Sequence, residues 1–290
     1  MKVILSRKGF DGQNGGIPSP ILPDGRLLPL PIPSRRDQNT LVDLRYLGSD
    51  VSTIPADLSR GKHDLSTRIH LDPALERANG NHSPGWRPML GQTGSAQGHL
   101  RSQGVGVGDV FLFFGWFREV ESRANTWRYV PKAPNLHVLF GWIEVGAVVP
   151  ISRERESALT KMPWIADHPH IAGRHYDADL HNTLYVAASR SKWLRALPSQ
   201  GGGRFLQYDD SLRLTAPNTS KKSLWSLPGW FLPGDRMPLS YHSDRERWKR
   251  DGDRVLLQSV AKGQEFVLDM AHYPEAEHWI ADLIKRHGGK

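Results

Sequence analysis

Polar side chains that could bind anions or transfer protons follow the first apolar segment of the chain. Residues 2–5 (KVIL) predict a short strand, and Ser6–Asp11 (SRKGFD) comes directly after it. A rigid strand leading into a glycine-containing loop is a common place for functional groups. Arg7 and Lys8 can donate to a phosphate or carboxylate, and Asp11 could hold a sugar hydroxyl, act as a base or orient Lys8. We therefore predict Lys8 and Asp11 as catalytic residues and Arg7 as a phosphate ligand; the alternative is a surface turn with an incidental ion pair.

An imidazole and a carboxylate lie two residues apart in His70-Leu71-Asp72-Pro73. Alternate side chains of an extended segment point to the same side, so His70 and Asp72 would lie together. The pair could transfer protons, with Asp72 setting the tautomer of His70. Asp72 could also cap a helix at Ala74–Arg77, and the two roles are compatible. We predict both residues as catalytic.

The run Asp167–His170 (DHPH) offers two imidazoles with one proline between them. In an extended chain, His168 and His170 would lie on the same side, and neutral imidazole is a good ligand for zinc, iron or manganese. A third ligand could come from one of several nearby or distant residues: His175, Asp177, Asp179, His70 or Asp72. Alternatively, the two imidazoles contact a base or a phosphate, or they are structural. We predict both as catalytic residues and candidate metal ligands, and we assign no metal.

Amide side chains are frequent in Gly85–His99, a Gly- and Gln-rich segment that we predict to be a loop. Gln92 and Gln97 each offer a donor and an acceptor, which suits recognition of base edges. His99 lies in the same segment. We predict these three residues to contact a nucleotide, and the alternative is a solvated polar loop.

Basic residues are mixed with aromatic residues in the segment 180–234, where the only acidic residues are Asp209 and Asp210. Such mixtures can hold phosphates and stack bases. The alternative is that the aromatic residues are core and the bases form a solvated face. We predict Arg190, Lys192 and Arg195 as phosphate-binding residues.

Two apolar runs, Val110–Trp116 (VFLFFGW) and His137–Trp142 (HVLFGW), both end in Phe-Gly-Trp. Continuous apolar runs of this length predict strands covered on both faces. A glycine inside each run suggests a bulge or a close backbone approach. Trp116 and Trp142, at matching positions, are candidates for contacting a base.

The remaining pattern predicts an α+β protein dominated by sheet, with long ordered Gly- and Pro-rich loops such as Ser6–Asp37. Arg254–Val260 and Glu265–Asp269 predict two more strands. Pro274–His287 predicts a C-terminal amphipathic helix, with apolar residues three and four apart and acidic residues at its start. We expect a single compact domain over residues 1–290, with a possible subdivision near residue 150.

Composition restricts the protein class further. The chain has 290 residues, a formal net charge of +8 and no cysteine, which excludes disulfides and thiolate metal sites. We find no apolar run of about 20 residues and no signal peptide in Met1–Leu5, so we expect a soluble cytoplasmic protein without membrane partners. A P-loop, a nucleophile elbow and a His-Glu-x-x-His motif are all missing from the sequence.

Six segments carry a resemblance to a known family: SRKGFD (Ser6–Asp11), IPSPILPDG (Ile17–Gly25), HLDP (His70–Pro73), DVFLFFGWFR (Asp109–Arg118), DHPH (Asp167–His170) and GQEFVLD (Gly263–Asp269). Together they resemble the nucleotide modification associated domain 3 family of bacteria and phages. That family is largely uncharacterised, and the resemblance implies a role in making or handling modified bases in DNA.

Two shorter resemblances point to other functions. Gly106–Trp116 followed by His137–Val149 resembles the core of PUA-like domains, including the EVE and ASCH groups, which bind nucleic acid and in some cases a modified base. This implies PUA-like central strands in the first 150 residues. Gln264-Glu265, opening a strand before the last helix, resembles the glutamate-bearing end of ADP-ribosyltransferases. In that case, Glu265 would bind the nicotinamide ribose and Arg7 its phosphates.

These observations give three hypotheses. The preferred one is an enzyme that modifies a nucleotide or a base in a DNA-modification or phage-defence pathway, and the second is a PUA-like reader that recognises a modified base without changing it. The third is a metal-dependent phosphoesterase or an ADP-ribosyltransferase-like enzyme. In each case, the expected partner is a nucleotide or nucleic acid, with DNA favoured, and no cofactor is identified. The reactive set of the first hypothesis is Lys8, Asp11, His70, Asp72, His168, His170 and Glu265.

Overall fold

A computed structural model describes residues 1–44, 46–76, 84–194 and 200–288. Within these residues the chain forms twelve strands and five α-helices. The strands are β1 (Lys2–Arg7), β2 (Ser19–Ile21), β3 (Met89–Gln92), β4 (Val110–Arg123), β5 (Thr126–Tyr129), β6 (Leu136–Pro150), β7 (Thr183–Ala187), β8 (Gly202–Arg204), β9 (Leu224–Pro228), β10 (Trp248–Asp251), β11 (Arg254–Gln258) and β12 (Glu265–Asp269). The helices are α1 (Ile54–Ser59), α2 (Gly94–Ser102), α3 (Ile151–Lys161), α4 (Pro169–Ala172) and α5 (Glu275–His287).

One large mixed sheet contains strands from both halves of the chain. Its main path runs β12-β1-β4-β6-β7-β3, and β2, β5 and β8 pair at the sides of β4 and β6. The strands β1 and β4 are parallel, whereas the other neighbours along this path are antiparallel. A smaller sheet of order β10-β11-β9 packs its apolar side chains into the same core. The predicted α+β, sheet-dominated fold is confirmed.

The Phe-Gly-Trp runs lie in β4 and β6, the two longest strands of the described residues. Residues Val110–Phe114 are completely buried, as expected for a strand covered on both faces. The register between β4 and β6 shifts at Phe113/Phe114, which is the kind of bulge that the glycines suggested. A Cβ on Gly115 would lie 3.0 Å from the carbonyl oxygen of Lys8. This close approach lets the loop after β1 pass directly over β4.

The two end strands of the sheet path come together in space. Gln92, at the end of β3, donates a hydrogen bond to Glu265, at the start of β12. Helix α2 follows β3 and contacts β12 as well. The sheet therefore curves until its two ends meet, and its apolar interior, which includes Leu90, Phe111 and Phe266, is closed on that side.

Helix α5 covers the core, as its amphipathic pattern predicted. Its residues Ala276, Ile280, Leu283 and Ile284 are buried in the main apolar cluster. Within the described ranges, none of the helices is both long enough and apolar enough to cross a membrane.

Two local predictions are wrong. The segment predicted to be a loop between residues 85 and 99 contains β3 and the first part of α2. Helix α2 was missed because it buries only Gln97 and Leu100 and so has little apolar periodicity. The DHPH run is not extended: His168 is the N-cap of α4 and Pro169 occupies its first turn, a position that suits proline.

Candidate functional site

A large cleft lies where β1 ends and the loops before β3 and β12 approach it. Its volume is about 990 Å³, at the upper end of the roughly 300–1,000 Å³ typical of small-molecule sites. Its floor is polar and includes Lys8, His70, Asp72, Gln92 and His170.

Lys8 lies between two carboxylates, Asp72 on the floor of the cleft and Glu265 behind it. Its Nζ lies 3.2 Å from Glu265 Oε1 and 3.9 Å from Asp72 Oδ2, and its side chain is only 9% exposed. The backbone amide of Lys8 donates to the carbonyl of Phe114 in β4. The parallel pairing of β1 with β4 therefore fixes the backbone from which this ammonium group projects.

Glu265 lies behind the floor, with 1% of the residue exposed. Its Oε1 accepts hydrogen bonds from Gln92 Nε2 and, at 3.1 Å, from Ser6 Oγ, and also pairs with Lys8. Its Oε2 has no hydrogen-bond partner among the described residues. Because Lys8 and Gln92 separate it from the cleft, the geometry makes Glu265 a residue that orients these two side chains.

Asp72 is the most highly connected group in the site. Its Oδ1 accepts a 2.6 Å hydrogen bond from the Gly91 amide and lies 3.3 Å from His168 Nε2, while its Oδ2 lies 4.0 Å from His70 Nε2. Burial raises the pKa of Asp72, but the contact with His168 and the charge of Lys8 outweigh it and hold the pKa below its ordinary value. Asp72 is therefore a buried carboxylate that stays ionised.

The two imidazoles on the cleft floor have fixed partners. His70 Nδ1 lies 3.1 Å from Asp37 Oδ2, and His170 Nδ1 lies 2.9 Å from Asn182 Oδ1. The predicted role of Asp72 in setting the tautomer of His70 is thus taken by Asp37. Burial is the main reason that the pKa of His170 falls to about 3, so this ring is neutral at physiological pH. The ring of Tyr176 stacks on it with centroids 4.3 Å apart.

Gly91 makes room for His170. A Cβ at this position would lie 2.2 Å from His170 Cδ2, closer than any side chain tolerates. The same glycine donates its amide to Asp72, so β3 contacts both residues through one backbone position. Only glycine allows the imidazole to lie this close to the strand.

The rim of the cleft is cationic and aromatic. Lys221 and Lys222 line it, and Lys222 Nζ lies 4.0 Å from the centre of the Trp116 ring. Burial lowers the pKa of Lys222, with Arg7 as a second cause. These two lysines belong to the basic segment that is predicted to hold phosphates, although Arg190, Lys192 and Arg195 are the residues singled out from it.

Four of the sequence-predicted residues have side chains engaged by other parts of the protein, and of these only Arg7 and Asp11 line the cleft. Asp11 accepts from the amides of Gln13 and Asn14 and so caps its own turn. The guanidinium of Arg7 donates to the carbonyl oxygens of Ala261 and Val260, at 2.8 and 3.0 Å. The other two are Gln97, whose Oε1 accepts from the Tyr185 hydroxyl, and His99, whose Nε2 pairs with the Ser240 hydroxyl.

Other predicted residues lie away from the cleft. Trp142 is fully buried in the core and approaches Gly288 after α5. Arg190 is exposed, and Lys192 lies at the opposite end of β1, where its ammonium contacts the sulfur of Met1. The structure therefore does not bring these side chains to the site.

Arg195 lies outside the described residues, as does Arg77 at the end of the helix suggested after Asp72. Ala74, at the start of that segment, instead forms an isolated β-bridge with Met89.

Sequence reasoning missed Asp37, Gly91, Tyr176 and Asn182. Asp37 ends the Pro-rich loop, about thirty residues before His70, and nothing in its local sequence marks it as a partner of an imidazole. Gly91 directly precedes Gln92, and a glycine inside a strand is a known signal for close backbone approach. The sequence carries that signal, but the small and polar residues around Gly91 predict a loop and not a strand.

Comparison with known proteins identifies the chain. The sequence pattern of the nucleotide modification associated domain 3 family matches residues 2–269. The chain belongs to this family. The match runs from the first residue of β1 to the last residue of β12 and so covers the whole large sheet, including every residue of the cleft floor. No curated protein and no solved structure matches the chain, so the PUA-like resemblance stays a prediction. The family name indicates a role in nucleotide modification.

Proposed function

We propose that this member of the nucleotide modification associated domain 3 family is an enzyme that binds a nucleotide in the cleft and modifies its base next to Lys8. The observation that carries the proposal is the buried Lys8–Glu265–Gln92 arrangement at the cleft floor. Burying an ion pair costs desolvation energy, and a neutral apolar floor would stabilise the fold equally well or better. A buried ionised group with a specific charge partner in a cleft is a candidate for a functional site.

The charge distribution orients the nucleotide. The rim lysines Lys221 and Lys222 can donate to phosphate oxygens, and a phosphate-bearing ligand is attracted to them over several ångströms. The polar floor then receives the base. Gln92 uses its amide nitrogen on Glu265, whereas its Oε1 accepts only a long 3.4 Å bond from the Thr93 amide and is available to a base amino group.

Lys8 supplies a hydrogen-bond donor at the end of the cleft that receives the base. Its ammonium can hydrogen-bond a base carbonyl, or stabilise negative charge that develops on the base during a modification. Glu265 acts through Lys8 and Gln92, holding both in one orientation, and is therefore a positioning residue. A cleft of about 990 Å³ accommodates a nucleotide together with a second small reactant.

The structure offers less support for a reader without catalytic activity. A reader needs exposed aromatic rings to hold a base, and in the two Phe-Gly-Trp runs both Phe114 and Trp142 are completely buried. Gln97, one of the two amides predicted to contact a nucleotide, is paired with Tyr185. Trp116 alone remains at the rim, with Lys222 against one face of its ring.

The first test measures binding. The melting temperature of the protein is recorded with each 2′-deoxynucleoside 5′-monophosphate and with a short single-stranded DNA. We expect at least one probe to raise it, and a ligand at 100 times its dissociation constant stabilises by about 2.7 kcal/mol. The double variant Lys221→Ala/Lys222→Ala should weaken this binding at least tenfold, whereas Lys285→Ala, an exposed lysine on α5, should not.

The second test detects modification. The nucleotide found in the binding experiment is incubated with the protein and a low-molecular-weight filtrate of bacterial cells, and the base is examined by mass spectrometry. We expect a new base mass with the wild type and none with Lys8→Met. An unchanged base with wild-type protein that binds the nucleotide tightly would instead identify a reader.

A further inference from the structure

Two imidazoles and one carboxylate converge beside Lys8. One nitrogen each from His70 and His170 and one oxygen from Asp72 lie within 4.8 Å of one another. His70 and Asp72 come from the segment before β3, and His170 comes from α4. The three groups lie on the floor of the cleft and are accessible from it.

Hydrogen bonding determines which nitrogen of His70 is free. Its Nδ1 lies 3.1 Å from a carboxylate oxygen of Asp37, which can only accept, so Nδ1 carries the proton. In the neutral ring with this tautomer, the lone pair is on Nε2, which lies 4.0 Å from Asp72 Oδ2. A carboxylate behind the imidazole is the arrangement that orients metal-binding histidines in proteins.

The same reasoning applies to His170. The Asn182 amide nitrogen donates to the carbonyl of His170, which fixes the amide orientation, so Asn182 Oδ1 accepts from His170 Nδ1 at 2.9 Å. His170 Nε2 is therefore the atom with the free lone pair. Tyr176, stacked on one face of the ring, and Gly91, close to its edge, limit its rotation.

The two carboxylate oxygens of Asp72 have different partners. Its Oδ1 accepts from the Gly91 amide and contacts His168, whereas its Oδ2 lies 4.0 Å from His70 Nε2 and 3.9 Å from the ammonium of Lys8. Among the groups that form ion pairs here, the three carboxylates of Asp37, Asp72 and Glu265 and the one ammonium of Lys8 have formal charges that sum to minus two. A divalent cation balances them.

We propose that His70 Nε2, His170 Nε2 and Asp72 Oδ2 bind one divalent transition-metal ion of the zinc, cobalt or iron class. Two imidazoles and a carboxylate suit these ions better than magnesium or calcium, which prefer all-oxygen sites. Three protein ligands leave coordination positions open toward the cleft. Bonds of about 2.1 Å require the donor atoms to move inward by roughly 1 Å when the ion binds. The sequence prediction paired His168 with His170, whereas the geometry gives His168 the role of supporting Asp72.

The experiment uses full-length protein purified without a histidine tag and dialysed against a chelator. Cobalt(II) is added in the absence of nucleotide and followed by visible absorption and calorimetry. We expect saturation at one ion per chain, ligand-field bands in the visible spectrum and a higher melting temperature. Saturable binding by the wild type does not depend on whether any variant folds. If stoichiometric cobalt(II) gives neither saturable absorption nor a change in melting temperature, the proposal is wrong.

Variants then locate the ion. His170→Gln and Asp72→Asn should each weaken cobalt(II) binding at least 100-fold, and Asn182→Ala should weaken it 10- to 100-fold because His170 loses its orienting partner. His272→Gln removes an exposed imidazole outside the cleft and should leave the affinity unchanged. Equal affinity in wild type, His170→Gln and Asp72→Asn would place the ion elsewhere and refute this site.

The metal proposal goes beyond the proposed function and can fail separately from it. Nucleotide binding is therefore measured on the chelated protein and on Lys221→Ala/Lys222→Ala. Cobalt(II) binding without any nucleotide binding would support the metal site and contradict the proposed function. Nucleotide binding without cobalt(II) binding would support the proposed function and contradict the metal site.

Discussion

Gln92, at the end of β3, donates a side-chain amide hydrogen bond to Glu265, at the start of β12. The strands β3 and β12 are the two ends of the main sheet path. The interaction closes the curved sheet. It also leaves Glu265 Oε1 3.2 Å from Lys8 Nζ, so the contact that joins the sheet ends orients the central ammonium of the cleft. Stability and site geometry are therefore coupled through one carboxylate.

Glu265→Gln should destabilise the protein by about 3 kcal/mol, because the buried ammonium of Lys8 loses its nearest counter-charge. A glutamine side chain has nearly the same shape as Glu265, and its carbonyl oxygen can still accept a hydrogen bond from Gln92. The change in unfolding free energy therefore measures the loss of the negative charge. Urea unfolding measures the free energy. Glu277→Gln, at an exposed position of α5, is the control and should stay within about 0.5 kcal/mol of wild type. A similarly small change for Glu265→Gln would contradict the structural role assigned to this pair.

Gly91→Ala should destabilise by about 1–3 kcal/mol, because its Cβ would overlap the His170 ring and force the ring or the strand to move. Gly98→Ala provides the opposite control, since that position in α2 has open space around it and a helical backbone. Alanine there should stabilise by about 0.5–1 kcal/mol. Thermal and urea unfolding compare the two. Equal effects of both substitutions would show that His170 is not packed on β3 as described.

Acidification should destabilise the fold through His242. Its Nδ1–H donates to the Ser240 carbonyl and its Nε2 accepts from the Val260 amide, so both nitrogens are used in the neutral ring. Burial is the main cause that lowers the pKa of His242 to about 4. The unfolded chain binds this proton near pH 6.5, so the contribution is complete above that pH and is lost as the pH falls toward 4. The expected loss is up to about 3 kcal/mol.

The measurement for His242 is the free energy of unfolding between pH 7.5 and 4. His242→Gln should reduce the slope of this curve in the window from pH 6.5 to 4. A wild-type slope that the variant retains unchanged would assign the acid sensitivity to other groups. Burial also lowers the pKa of His137 well below its ordinary value. The variant His137→Gln therefore measures how much of the acid sensitivity comes from His137 and how much from His242.

Arg7→Lys tests whether this residue anchors a loop or binds phosphate. Its guanidinium holds the carbonyl oxygens of Val260 and Ala261, and lysine cannot donate to both in the same geometry. Amide hydrogen exchange in residues 260–264 should become at least tenfold faster, while nucleotide binding falls less than in Lys222→Ala. If amide exchange is unchanged and nucleotide binding falls more in Arg7→Lys than in Lys222→Ala, Arg7 binds phosphate, as the sequence predicts.

The sequence predicted those elements whose pattern is apolar and regular. The strands β1, β4, β6 and β12 and the helix α5 all lie where apolar runs or periodicity placed them. Helix α2 and strand β3 were missed because their residues are mostly polar or small, and contacts with distant segments determine their structure. Apolar periodicity cannot report such contacts.

Residue type was a better guide to the site than predicted secondary structure. Lys8, His70, Asp72 and His170 were selected for their chemistry, and the structure brings all four to one cleft floor. Asp37 and Asn182 could not be selected, because their importance comes from a partner far away in the chain. Trp142 was selected for its matching position in two similar runs, yet sequence similarity between strands says nothing about which face meets solvent.

The late position of β12 has a consequence for when the cleft can exist. Lys8 is synthesised well before its closest carboxylate, Glu265, which lies on a strand that also pairs with β1. Until Glu265 has been added, a growing chain on the ribosome therefore carries the Lys8 ammonium without its nearest counter-charge, and the sheet is not closed. A stop codon shortly before residue 265 leaves a product in which Lys8 keeps the more distant Asp72 but lacks Glu265, even though most of its cleft residues are present.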